Sequence, residues 1–188
     1  MAEPHVVVLA AGRGERFGGG KLDATCAGKP LGHWVLDGVA DAGLDPGTLV
    51  VGPGSVHFAD GHPGWKLLVN PHPEGGLGTS LALAAQAALA RGDQALLVLL
   101  ADMPLVTPAF LRELAAMPPP AATGQPDGHA GVPALLDRAL MEKAAALTGD
   151  HGAGPLLAGA TLLDPPAGML RDVDTVEDLA EAEQLLSR

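Results

Sequence analysis

Short runs of apolar residues alternate along the chain with longer stretches in which apolar positions recur every three to four residues. The run "HVVVLAA" near the amino terminus is continuously apolar and β-branched, the character of a parallel strand buried on both faces. Runs of this kind predict strands over 5–10, 48–52, 66–70, 94–100 and 160–163. Helical spacing predicts helices over 31–42, 78–90, 107–116, 137–146 and 175–186. The third opens with Thr107 as N-cap and Pro108 at the first helical position, and the last puts Val176, Leu179, Ala182 and Leu186 on one face. This alternation predicts a three-layer α/β fold. The segment "MPPPAATGQPDGHAG", residues 117–131, is rich in proline and glycine and reads as an active-site loop rather than a regular central element. Too few residues follow it for a second domain, so residues 1–188 read as one domain.

Glycines begin where the first strand ends. In "LAAGRGERFGGGK", residues 9–21, they allow positive φ and close approach of backbone to a ligand, while Arg13, Arg16 and Lys21 add cations to a row of N–H donors. The guest that suits this loop is a polyphosphate. Two phosphate loops fail on spacing: a G-x-G-x-x-G fingerprint needs glycine where Phe17 stands, and a Walker loop needs other residues than Glu15 and Leu22. A solvated glycine turn is the competing reading.

Charge sharpens the contrast. The chain carries a net charge of −11, which argues against nucleic acid as a partner. Its first 29 residues nevertheless hold four cations, Arg13, Arg16, Lys21 and Lys29, against Glu3, Glu15 and Asp23. A small anion binding at the loop accounts for that placement. The longest strongly apolar run, "ALLVLLA", is far too short for a membrane span, and no signal-peptide pattern opens the chain, so a cytoplasmic protein is expected. The one cysteine, Cys26, reads as a loop residue.

Candidate chemistry lies at the strand ends. "QALLVLLADMP" places Asp102 at the carboxyl end of a central strand, where a carboxylate suits Mg²⁺ opposite a phosphate site; a turn before proline is the alternative. "RDVDTVED" offers Asp174 as a second ligand, or Asp174 or Thr175 as an N-cap. "NPHPEGGLGTS", residues 70–80, joins a strand to an alanine-rich helix whose N-terminal N–H groups could take a substrate anion, or is an ordinary turn. The histidines show no zinc spacing, and no G-x-S-x-G elbow occurs.

Taken in order, "LAAGRGERFGGGK", "GKPL", "NPHPEGGLGTSL", "ADMPLVTP", "GVPALLDRAL", "LTGDHGAGPLL" and "DVDTVEDL" resemble the nucleotidyltransferases of molybdenum cofactor maturation, in particular their molybdopterin cytidylyltransferase branch. The resemblance spans residues 5–183 and implies a Rossmann-like nucleotidyltransferase fold with a mostly parallel sheet. It implies that Leu9, Ala10, Ala11 and Gly12 line the base and ribose, with Arg13 and Gly14 in the same loop. Arg16 and Lys21 would hold the triphosphate, Asp102 and Asp174 the Mg²⁺. Asn70, Gly76 and Ser80 would belong to the nucleotide and acceptor site, and residues 149–154 would face the pterin. Arg16, Lys21 and Asp102 are the catalytic candidates. The implied partners are an NTP, with CTP favoured over GTP by Ala10 and Ala11, the molybdopterin cofactor and a client molybdoenzyme. Three departures stand out: Phe17 replaces a methionine, "GGGK" replaces a proline before the lysine, and "HAGVP" stands where the family usually has "RGHP". The alternatives are a nucleotidyltransferase for a sugar or polyol phosphate, and a non-catalytic protein that carries the cofactor or a nucleotide.

Overall fold

A computed structural model describes residues 3–12, 14–54, 57–149 and 152–187. In chain order the elements are β1 (His5–Ala10), β2 (Thr25–Cys26), β3 (Lys29–Pro30), α1 (Leu31–Asp41), β4 (Thr48–Val51), β5 (Lys66–Val69), α2 (Leu77–Arg91), β6 (Ala95–Leu100), α3 (Pro108–Ala116), β7 (Ala121–Gly124), β8 (Ala130–Asp137), α4 (Arg138–Ala144), β9 (Thr161–Leu163) and α5 (Val176–Leu186). Single helical turns at Glu15–Phe17, Lys21–Asp23, His57–Ala59 and Pro73–Gly75 sit in the connections.

Seven strands form one sheet in the order β5-β4-β1-β6-β8-β7-β9, and β2 pairs with β3 in a separate hairpin. Within the large sheet β8 alone runs against its neighbours; all other pairings are parallel. Alternate side chains of β1 feed two cores. Val6 and Val8 face α1 and α3, through Val35, Leu36, Val39, Phe110, Leu111 and Leu114. Val7 and Leu9 face α2 and α4, through Leu81, Ala84, Ala85, Leu140 and Met141. Burial on both faces is why β1 and β6 read as unbroken apolar runs. The expected three-layer α/β architecture is therefore the one observed, and the predicted strands and helices are present with ends shifted by a residue or two.

Residues 117–131 depart from expectation. They contain β7, three of whose four residues are buried, and the first two residues of β8, joined by a tight turn. In that turn Gln125 N–H donates to His129 O and Gly128 N–H to Gln125 O. The prolines are accommodated because none has to supply a ladder hydrogen bond. Pro118, Pro119 and Pro120 precede β7, Pro126 lies in the turn, and Pro133 falls where the pairing skips from Gly131↔Thr123 to Ala134↔Ala122. Proline at such a bulge costs the sheet no N–H. Thr123 Oγ1 closes the irregularity by donating to Pro133 O at 2.7 Å.

Candidate functional site

Parallel strands β1 and β6 end side by side, and the chain beyond each supplies one wall of a cleft of about 560 Å³. From the first come Leu9, Ala11, Gly12, Gly14, Glu15 and Arg16; from the second, Leu100 and Asp102. The turn before α2 adds Pro73, Glu74, Gly76 and Leu77, and Ser80 follows from the helix. A second cavity of about 270 Å³ lies on the other side of the loop, where Ala10, Gly12, Lys21 and Phe58 meet. A third, of about 330 Å³, opens between Leu77, Met103, Val132, Leu170, Gln125 and Asp172.

The loop's shape rests on glycine. Gly14, Gly18, Gly19 and Gly20 all have positive φ, and a Cβ on Gly14 would lie 3.3 Å from that of Lys21. The last three glycines turn the chain back so that Lys21, 9 % exposed, points inward. Its ammonium lies 2.7 Å from Asp102 Oδ2 and 3.3 Å from Asp174 Oδ1. Arg16, largely exposed, reaches Asp174 from the solvent side, 3.0 Å from Oδ2. Two cations and two carboxylates that are far apart in the chain thus form one alternating cluster. Arg13, and Asp150 and His151 of the 149–154 stretch, lie outside the described residues.

Backbone, more than side chains, fixes the separation of the two aspartates. Val173 N–H donates to Asp102 O at 2.9 Å, and the Val173 side chain is buried with Cys26, Leu31 and Ala182. Asp174 is not the cap of α5. Thr175 is the N-cap, and Asp178 completes a capping box by accepting from the N–H groups of Asp174 and Thr175 and from the Thr175 hydroxyl. These bonds, the hydroxyl's first, hold the Asp178 carboxyl below its usual range. The capping roles fall to Thr175 and Asp178, which leaves the Asp174 carboxylate for the cluster.

Asp172 belongs to the acidic motif before α5 but has no role there; the structure sets it at the rim of the third cavity. The protein around it, and then the charges of Asp102 and Asp174, push its carboxyl above the usual range. Leu100, Met103, Val132 and Leu170, which give that cavity apolar walls, carry no sequence signal beyond that of ordinary core residues.

The turn before α2 behaves differently from expectation. Asn70 is 3 % exposed, and its amide is spent internally, donating to Thr79 Oγ1 and Ser80 Oγ and accepting from His72 N–H. It shapes the turn and does not line the cleft, whereas Gly76 and Ser80 do. The amino end of α2 is partly occupied as well: Gly78 N–H donates to Gly149 O and Thr79 N–H to Gly76 O. The loop after α4 crosses this helix end, so its N–H groups are not all open to an anion.

Asp102 Oδ1 is buried and accepts no hydrogen bond from any described residue. An orphaned carboxylate oxygen beside a second carboxylate fits a hard divalent cation. No three metal-ligating side chains converge among the described residues, so phosphate oxygens or water would complete such an ion's shell.

Residues 6–165 match the model of the MobA-like NTP transferase domain. The chain belongs to that family. It is 28 % identical to the purine catabolism protein PucB of Bacillus subtilis (strain 168), over the full length of both chains. Among solved structures it is similar to Rv0371c of Mycobacterium tuberculosis H37Rv, with 26 % identity, a TM-score of 0.79, and 97 % and 99 % of the two chains covered. That protein has also been solved as a complex with manganese. A nucleotidyl transferase from Methanothermobacter, Mth528, shares the fold at a TM-score of 0.82 over the whole of both chains, with 24 % identity. Among the described residues of the present chain, no helix is long and apolar enough to cross a membrane.

Proposed function

We propose that this protein transfers a nucleotidyl group, cytidylyl by preference, from an NTP to the terminal phosphate of molybdenum-bound molybdopterin, with release of pyrophosphate. The observation that carries the reading is the cluster at the mouth of the cleft, where the cations of the glycine loop meet the carboxylates beyond β6 and before α5. In the cleft Leu9, Ala11 and Gly12 receive the base and ribose, while Ala10 lines the second cavity instead; in the cluster Arg16 and Lys21 receive the phosphates, and Asp102 with Asp174 a divalent ion, Mg²⁺ in the cell. The manganese complex of Rv0371c supports a divalent ion as the partner of this fold. When bound, such an ion supplies neutralisation of phosphate charge.

An acceptor phosphate oxygen attacks the α-phosphorus in line, the bond from that phosphorus to the β-phosphate oxygen breaks, and pyrophosphate leaves. The chain's part is to align the two reactants and to oppose charge gathering on the leaving group. Arg16 and Lys21 reach that charge from the loop, and no protein nucleophile is required. The third cavity, which shares Leu77 and Leu100 with the cleft, receives the body of the acceptor. Its apolar walls with Asp172 and Gln125 at the rim suit a flat heterocycle bearing hydrogen-bond donors better than a second anion.

Similarity to PucB over the whole chain supports a second reading in which nucleotidyl transfer is kept and the acceptor is another phosphorylated compound of purine catabolism. Pyrophosphate release measured with each NTP separates the two, with and without molybdopterin cofactor and against a panel of phosphorylated purine-catabolism compounds and sugar phosphates. Cofactor-dependent release with CTP ahead of GTP is expected. Release that ignores the cofactor and follows another phosphate would overturn the assignment of acceptor, and no release with any acceptor would favour a carrier protein.

A further inference from the structure

The ammonium of Lys21 lies within hydrogen-bonding distance of both carboxylates that the proposed function gives to a divalent ion. A divalent ion that bound through Oδ2 of Asp102 and Oδ1 of Asp174 would take the place of this ammonium, which contacts those two atoms. Both oxygens of Asp174 are paired, one with Lys21 and one with Arg16. Without ligands the four side chains are therefore paired among themselves with no net charge, and Asp172, close enough to feel Asp102, Asp174 and Lys21, is the carboxylate nearest to them.

We propose that Lys21 is a resident cation that occupies the metal position of the ligand-free protein and moves onto the phosphates when a metal–nucleotide complex enters. The inference rests on the assignment of Asp102 and Asp174 as metal ligands. Binding is then an exchange of partners: the aspartates trade ammonium and guanidinium for the metal, and Lys21 and Arg16 trade carboxylate for phosphate. Charge pairing is complete before and after, but not when the metal arrives alone. Metal and nucleotide consequently bind with positive coupling.

The fold allows the movement. The Lys21 stem is flexible over four carbons. Its Cβ is packed near Gly14, whereas a Cβ added at Gly18, Gly19 or Gly20 just before it would meet nothing within 4 Å, so the turn is bordered by open space. The backbones of both residues are held, Lys21 O by Ala24 N–H and Asp102 O by Val173 N–H, but the Asp102 carboxylate hangs on a single methylene and has no comparable reach. The carboxylates stay and the lysine moves.

The test is Mn²⁺ binding followed by the electron paramagnetic resonance signal of the free ion, without nucleotide and with a non-hydrolysable α,β-methylene CTP, whose own Mn²⁺ affinity is measured separately. Without nucleotide, Lys21→Met is expected to bind Mn²⁺ at least about tenfold more tightly than the wild type. The analogue is expected to tighten Mn²⁺ binding by about tenfold or more in the wild type and by much less in Lys21→Met. Nucleotide-free affinities that agree within about twofold, or equal coupling in both proteins, would overturn the proposal while leaving the metal ligands in place. Adding Asp102→Asn to Lys21→Met should abolish the gain. If the gain survives without Asp102, or if neither protein binds Mn²⁺ even with the analogue, the metal-ligand assignment fails and this inference with it. Should Lys21→Met not fold, Lys21→Gln carries the same comparison, and the wild-type coupling alone still decides.

Discussion

Replacing Asp102 by asparagine keeps the shape of the side chain and removes one negative charge, and the surroundings dictate how the amide must sit. Its oxygen has to take the ammonium of Lys21, 2.7 Å from Oδ2 in the native protein, because an NH₂ there would set donor against donor. The NH₂ is then left where Oδ1 now lies, buried and without a partner among the described residues. An unsatisfied buried donor costs about 1–3 kcal/mol. Lys21 keeps Asp174 at 3.3 Å, so it is not stranded as an unpaired buried charge, which spares the larger penalty of a broken ion pair. For a chain of this size each kcal/mol moves the Tm by about 2–4 °C, so a fall of a few degrees to roughly 10 °C is expected, with cooperative melting retained. Turnover should suffer far more: about a hundredfold or more in kcat, some 2.7 kcal/mol, from loss of a charged ligand where the transition state is most anionic. Pyrophosphate release at saturating nucleotide, across a titration of Mg²⁺, is the assay. A folded variant whose kcat at ordinary Mg²⁺ lies within about threefold of the wild type would refute the metal-ligand role and the orphaned-oxygen argument behind it.

Thr175→Ala removes the N-cap of α5 and should cost about 1 kcal/mol, a Tm drop of about 2–4 °C by calorimetry; an unchanged Tm would mean the capping box contributes nothing. Gly32→Ala sets a Cβ 2.3 Å from Phe58 Cδ2, so overpacking of about 1–3 kcal/mol is expected in urea unfolding, and Phe58→Leu in the same chain should recover part of it. Burial first, with the Arg91 charge on His5 and the His62 ring beside His33 next, holds His5 and His33 below their ordinary pKa. The unfolded chain therefore binds more protons between the lowered values and about 6.5, and the histidine contribution is complete above that pH and lost as pH falls below it. Urea midpoints measured from pH 8 to pH 5 should decline over that window, and less so with His5→Gln and His33→Gln together; identical slopes would exclude these two groups.

What the sequence disclosed follows from how locally each feature is encoded. β1 and β6 were legible because burial on both faces writes itself as an unbroken apolar run. α3 was legible because Thr107 and Pro108 mark its start. β7 was not, since its residues, "AATG", carry little strand preference and are strand only because β8 and β9 flank them. In the site, the glycine turns that follow β1 and the position of Asp102 just past the end of β6 could be read from one stretch each. The ambiguity at Asp174 could not be lifted that way, because it depended on Thr175 and Asp178 taking the capping roles and on a backbone bond to Asp102. Asn70 resembled a ligand contact in its motif; its neighbours Thr79 and Ser80 claim its amide instead.

The reversed strand β8 has a further consequence. A strand running against the sheet begins at the edge where the others end, so Gly131 and Val132 open beside Leu100 and Met103. Chain segments before residue 107 build the main cleft, apart from Asp174, while the third cavity adds Gln125, Val132, Leu170 and Asp172, among others from later segments, to Leu77, Leu100 and Met103. Under the proposed function, most of the donor side and most of the acceptor side lie in different stretches of the chain. On that reading, mutations in the later stretch would redirect the protein to a new acceptor and leave the glycine loop and Asp102 as they are, so that family membership would inform on the donor far better than on what receives it.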